Sequence, residues 1–186
     1  MKVGLKIGLA TVVLLAVAAS VFWFVAPIRS TTIVTTPSEA PLPEDTVIDR
    51  LVVHKSKRTM SAYYQGTLLK TYSISLGKQP VGHKQFEGDG KTPEGKYRIN
   101  ERNPNSGYHK NLGVSYPNEA DKAYAAAQGK SPGGLIKIHG MKNGWGFIGK
   151  KHLQKDWTNG CIAVTDEEVD ELYRSVKHNA EIEILP

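Results

Sequence analysis

The chain predicts a mainly β domain of the α+β class, with two helices at its edges. Three observations carry that expectation. The apolar clusters are short and rich in β-branched and aromatic residues, as in Val47–Val53 and Thr67–Leu76, which suits strands. Gly and Pro punctuate the chain, with 18 glycines and 10 prolines in 186 residues, so long helices have little room. Only two segments carry a helix start signal followed by helical sequence.

Taken in order, Val47–Val53 is the first strand. Thr59–Tyr64, the turn Gln65-Gly66 and Thr67–Leu76 extend it into an antiparallel meander. Gly77–Pro93 is dense in turn formers (Gly82, Gly88, Asp89-Gly90, Pro93) and reads as loop. Lys96–Glu101 is a short strand, and Arg102–Asn118 reads as irregular with at most one strand at Leu112–Ser115. Asn118 caps a helix running to Gln128, with acids in its first turn and Gly129 after it. Leu135–His139 is an apolar strand that ends on a histidine, and Ile162–Val164 is one that begins just after a cysteine. Thr165 and Glu168 form a capping box. It opens a helix whose apolar residues Val169, Leu172, Tyr173 and Val176 follow i, i+3, i+4, i+7. Glu181–Leu185 alternates and closes the domain as a strand.

The first 28 residues are of another kind. Ile7–Ile28 carries no charge and follows Lys2 and Lys6. It has the length of a membrane-spanning helix with its N-terminus in the cytoplasm. Ala16-Val17-Ala18 offers a signal-peptidase site as the competing reading. Either way residues 29–186 are expected outside the inner membrane, in the periplasm or cell envelope. Residues 29–46 are rich in Ser, Thr and Pro and read as an extended tether, which leaves 47–186 as the folded domain. The formal charge of +6 suits an anionic partner. Nucleic acid does not fit that compartment; an anionic wall polymer does. The acids Asp166, Glu167, Glu168, Asp170 and Glu171 read as helix-capping residues, and no His/Cys cluster has zinc spacing. No metal or other cofactor is expected.

Cys161 is the only cysteine. A lone thiol in an exported chain has no intramolecular disulfide partner and reads as a reactive group. It opens one strand while His139 closes another, and strand ends can meet over the mouth of a sheet. A histidine near neutrality is the usual base for such a nucleophile. Gly160 frees the backbone before the cysteine. Backbone N–H groups at Gly160 and Cys161 are candidates for an oxyanion hole. An active thiolate–imidazolium pair would give a bell-shaped pH profile. Thr158, Asn159, Trp157 and Tyr116 are the candidate substrate contacts; Trp157, like Trp145, has core packing as its alternative, and Asn159 a turn cap. His152, between Lys151 and Leu153, reads as a solvated loop residue, while Tyr108, His83 and His109 lie in loops that could border a cleft.

Three strings together carry a family resemblance: Gly90-Lys91-Thr92-Pro93-Glu94-Gly95-Lys96-Tyr97, Ile138-His139-Gly140, and Thr158-Asn159-Gly160-Cys161. Over roughly Ile48–Leu185 the chain resembles the L,D-transpeptidase (YkuD) family of cell-wall enzymes, whose pattern is a histidine, a variable loop and then Ser/Thr-x-Gly-Cys. The resemblance implies a β-sandwich or barrel, Cys161 as nucleophile, His139 as base and the Gly140 carbonyl as the group that orients the ring. It implies acyl transfer on the tetrapeptide stems of peptidoglycan, and carbapenem drugs acylate such nucleophiles. Two positions depart from the common pattern. Asn159 stands where many members have a histidine, and Ala163 where many have an arginine. The string Gly-Cys-Ile-Ala-Val-Thr, with Asn103-Pro104-Asn105-Ser106 and Ser115-Tyr116-Pro117-Asn118, resembles the YafK-like branch. Some members there cut the link between the wall and an envelope lipoprotein instead of making one. Acyltransferase, hydrolase and a silent wall-binding module are therefore the three functions the sequence leaves open.

Overall fold

A computed structural model describes residues 40–186. The expected anchor or signal segment, and the tether up to residue 39, lie outside them. Among the described residues no helix is long and apolar enough to cross a membrane.

The elements are β1 (Ile48–His54), β2 (Thr59–Tyr64), β3 (Thr67–Ser73), β4 (Gly95–Ser106), β5 (His109–Val114), α1 (Glu119–Ala127), β6 (Lys137–His139), β7 (Ile162–Ala163), α2 (Asp166–Ser175) and β8 (Val176–Leu185). The strands form one sheet in the order β3-β2-β1-β8-β4-β5-β6-β7. β1, β2 and β3 are the expected meander. β8 inserts beside β1 in parallel, so Leu51, Val52 and Val53 are covered and β1 reads as a continuous apolar run.

The sheet curls. Beyond β3, Ser75 exchanges both backbone hydrogen bonds with Ala163 of β7, at 3.0 and 2.8 Å. The first strand of the sheet order is thereby joined through its continuation to the last. The core lies inside the curl and under α2, with Leu51, Ile99, Leu112, Ile138, Ile162 and Leu172 fully buried.

β4 is twice the expected length. Gly95–Arg98 pairs with β8, and Ile99–Ser106 crosses to pair with β5. The sequence reading stopped at Glu101 because Pro104 cannot donate to a ladder. The register slips between Asn103 and Ser106, so Pro104 falls where no donor is required. A further helical segment, Gly146–Gln154, is 3-10 in type and kinked at Gly149; its Gly- and Lys-rich sequence read as loop. Both α-helices carry the caps their sequences announce, Asn118 with Asp121 and Thr165 with Glu168.

The end of the tether is docked, contrary to an extended reading. The Leu42 N–H donates to Glu171 Oε2 at 2.6 Å. Lys70 Nζ donates to Glu171 Oε1 at 2.8 Å and to the Ala40 carbonyl at 3.0 Å, and the Tyr72 hydroxyl donates to Glu171 Oε1 at 2.6 Å. Burial raises the Glu171 pKa, but hydrogen bonds from Lys70, Tyr72 and Leu42 outweigh it and hold the carboxyl below its ordinary 4.5. Its stabilisation is complete above the unfolded value and is lost as pH falls through the folded one. Glu171→Ala, which strands the buried Lys70 charge, is expected to cost about 3–5 kcal/mol. Urea unfolding at pH 7 checks this, and the acid part of the stability curve should flatten in the variant below about pH 4.3.

Candidate active site

The site is built where β6 and β7 run side by side. Ile138 pairs with Ile162 and His139 with Ala163. Continuing that parallel register back one residue sets Cys161 opposite Lys137. Side chains alternate along a strand, so Cys161, Lys137 and His139 share one face. All three line a cavity of about 500 Å³, together with Tyr108, Trp157 and Asn159.

His139 is 5% exposed. Its Nδ1 lies 2.7 Å from the Gly140 carbonyl oxygen. A carbonyl only accepts, so Nδ1 carries the proton and donates. In the neutral ring Nε2 is then a lone pair. The ring packs against Tyr108 at 4.8 Å between centroids and meets Trp157 edge-on at 5.6 Å. Those aromatic walls fix its orientation.

Cys161 is half-buried, and its thiol donates to the Leu135 carbonyl at 3.6 Å. Burial pushes the thiol pKa up, against the lowering effects of the Lys137 amide and the Lys137 and Lys84 charges. Burial pulls the His139 pKa below its ordinary 6.5, against the Gly140 carbonyl. Both shifts favour the uncharged partners.

The turn that presents Cys161 is held by Thr158. Its hydroxyl donates to the Cys161 carbonyl at 2.8 Å and accepts from the Gly160 N–H at 3.0 Å. That corrects two expectations. The Thr158 hydroxyl is spent on the turn and is not left for substrate, and the Gly160 N–H is taken, so of the two expected oxyanion donors only the Cys161 N–H is left as a candidate. Gly160 has φ of 130°, and a Cβ there would meet the Lys91 carbonyl oxygen at 2.6 Å. Only glycine fits that approach. The Lys91-Thr92 strand of loop is itself fixed, because Thr92 Oγ1 accepts from the Gly77 N–H at 3.0 Å. The Gly90-Lys91-Thr92 string is thus the buttress behind the cysteine turn.

Other candidates sort by contact. Trp157 stacks on Tyr108 at 6.2 Å, and the two also wall a second cavity of about 580 Å³ lined by Met141, Trp145, Ile148 and His152. Asn159 accepts from Lys78 Nζ at 3.2 Å at the cavity rim. Tyr116 is a core residue: 5% exposed, its hydroxyl bonded to the Pro132 carbonyl, and absent from the cavity wall. His152 is also buried, not solvated. Its Nδ1 faces Ser75 Oγ at 3.2 Å, and burial with the His139 charge lowers its pKa to about 4. His83 bridges Asp121 and Glu94 away from the cavity, and His109 pairs with Asp170. Sequence reasoning missed Lys137 and Lys84. Lys137 was accessible, since it alternates with His139 in the strand Leu135–His139; Lys84 is bonded to Asp89 in its own loop and acts on the thiol only as a charge at a distance.

Residues 48–184 match the L,D-transpeptidase catalytic domain family (YkuD). The chain belongs to that family. YafK of Escherichia coli strain K12, itself only a candidate L,D-transpeptidase, is 31% identical over 131 residues, covering 67% of this chain and 45% of its own. The crystal structure of Pgp2, the helical cell shape determining protein of Campylobacter jejuni, is 28% identical with a TM-score of 0.57 over 75% of this chain and 48% of its own. Bd1075 of Bdellovibrio bacteriovorus, at 22% identity and a TM-score of 0.53, covers 81% of this chain and 52% of its own, a likeness of fold. The chain spans about half the length of the relatives it matches.

The two shifts set the pH dependence expected of the base and nucleophile proposed below. With His139 as the base, reactivity is expected to fall only as pH drops through its depressed pKa, below 6.5. The raised thiol leaves no limb until above 9. Acylation of Cys161 by a carbapenem, followed by intact mass, should therefore hold a plateau from about pH 6.5 to 9 and not peak within it.

Proposed function

We propose that this L,D-transpeptidase-family domain is a cysteine acyltransferase acting on peptidoglycan stems in the cell envelope. The observation that carries the reading is a histidine with its Nε2 lone pair free of the orienting carbonyl, lining the same cavity as the only thiol. In the first half-reaction His139 Nε2 takes the Cys161 proton as sulfur attacks the carbonyl of the stem's meso-diamino acid. The Cys161 N–H faces the developing oxyanion. The tetrahedral species expels terminal D-alanine, whose nitrogen takes the proton back from the imidazolium, and a thioester remains. In the second half-reaction an amine of a neighbouring stem attacks the thioester and gives its proton to His139. The C–S bond breaks, and the thiol recovers its proton from the ring.

Lys78 gives the cavity rim positive charge, while the Lys137 ammonium in its wall is paired with Glu101; a basic rim suits stems bearing carboxylates. Trp157 and Tyr108 offer flat apolar faces beside it. No step calls for a metal or cofactor.

One observation favours a second reading. Ala163, two residues after the cysteine, is fully buried opposite His139, so no arginine stands beside the thioester. With water as acceptor the same acyl-enzyme hydrolyses, and the substrate would be a crosslink, either between stems or between peptidoglycan and an envelope lipoprotein.

The full chain incubated with tetrapeptide muropeptides is expected to release D-alanine and to carry an acyl adduct on Cys161, both absent in Cys161→Ala and reduced at least about 100-fold in His139→Ala. New crosslinked dimers mark the transferase, and loss of existing crosslinks marks the hydrolase. Identical product profiles for wild type and Cys161→Ala would end both.

A further inference from the structure

We propose that Asp166 is a positioning residue for His139, acting through the peptide unit that joins Gly140 to Met141. The proposal rests on the acyl-enzyme reading of Cys161 and His139, and it adds the group that fixes their base.

The carbonyl and N–H of a trans peptide point in opposite directions across one rigid plane, and this peptide is trans. At its carbonyl end the Gly140 oxygen accepts from His139 Nδ1–H at 2.7 Å. At its N–H end Met141 donates to Asp166 Oδ1, also at 2.7 Å. The carboxylate and the imidazole therefore grip opposite ends of the same plane. Holding the N–H fixes the direction of the carbonyl, and the carbonyl fixes the tautomer and tilt of the ring. The bond to a carboxylate is charge-assisted, and it polarises the peptide toward the imidazole. In a Ser-His-Asp triad the acid bonds the histidine directly; here one peptide unit stands between them.

The surroundings are shaped for this contact. Asp166 is the first residue of α2, directly after the Thr165 cap, so its backbone cannot drift. A Cβ on Gly140 would overlap Asp166 Oδ1, and a Cβ on Gly146 would overlap Oδ2. Both glycines leave the space that the carboxylate fills. The titratable groups around Asp166 are His109, whose Nδ1 lies 3.9 Å from Oδ2, and beyond it Asp170, which bonds both His109 and Lys110. None of these reaches the Met141 N–H.

The test uses the full chain with Asp166→Ala and Asp166→Asn, checked for folding by thermal melting. Two quantities are read: the second-order rate of Cys161 acylation by a carbapenem from pH 4 to 9, and the ring 15N shifts of His139, which report its tautomer. Asp166→Ala is expected to slow acylation about 10- to 100-fold, to move the acid limb to lower pH, and to mix the two tautomers. Asp166→Asn keeps an acceptor oxygen but not the charge. It should recover the tautomer and most of the rate while keeping the shifted limb. A folded Asp166→Ala with wild-type rate, limb and ring shifts would overturn the proposal. If that variant does not fold, an Asp166→Asn with an unshifted acid limb overturns it equally. Wild type that no carbapenem acylates would sink the acyl-enzyme reading alone, since the 15N comparison still decides whether Asp166 governs His139.

Discussion

The hydrogen bond from His139 Nδ1 to the Gly140 carbonyl is the contact on which the rest of the site depends. It decides which ring nitrogen is bare, and so which one can take a proton. Everything nearby limits its freedom to change. β5 and β7 flank β6 and set the height of the ring. Tyr108 and Trp157 pack against it, and burial favours its neutral form. A sheet that did not curl would leave this ring at an open edge. The exchange of hydrogen bonds between Ser75 and Ala163 brings the chain after β3 against the cysteine turn.

The cysteine side is held by backbone packing more than by side chains. Gly77, Gly90 and Gly160 come together where any Cβ on Gly77 or Gly160 would strike a carbonyl. Thr92 and Thr158 spend their hydroxyls on the same two turns. A thiol presented this way sits on a rigid rim, as attack at a fixed angle under the proposed mechanism requires.

Local sequence made some elements legible and hid others. The two capping boxes state their helices outright, and the turn Gln65-Gly66 marks the β2–β3 hairpin. Cys161 and His139 were legible because each lies at a strand end with a glycine beside it. The second half of β4 was not, because Pro104 hides a ladder whose register skip only long-range pairing reveals. Tyr116 read as a substrate contact; its burial comes from Tyr97 and Pro132, neither of which periodicity places beside it. His152 sits between a lysine and a leucine in a glycine- and lysine-rich stretch and looked solvated, yet the kinked 3-10 segment folds it inward against Ser75. Lys70 and Glu171 are far apart in sequence, so nothing local announces the buried pair that docks residues 40–42.

Both shifts favour a neutral thiol and a neutral imidazole at rest, and under the proposed mechanism the proton then moves only once a substrate carbonyl is in place. A neutral thiol is also less open to oxidation than a standing thiolate. The most direct measurement is thiolate absorbance near 240 nm across pH, with Cys161→Ala as the blank. The account predicts no thiolate signal at pH 7 and a rise only above about pH 9, little altered in His139→Ala. A strong thiolate signal at pH 7 that vanishes in His139→Ala would contradict it.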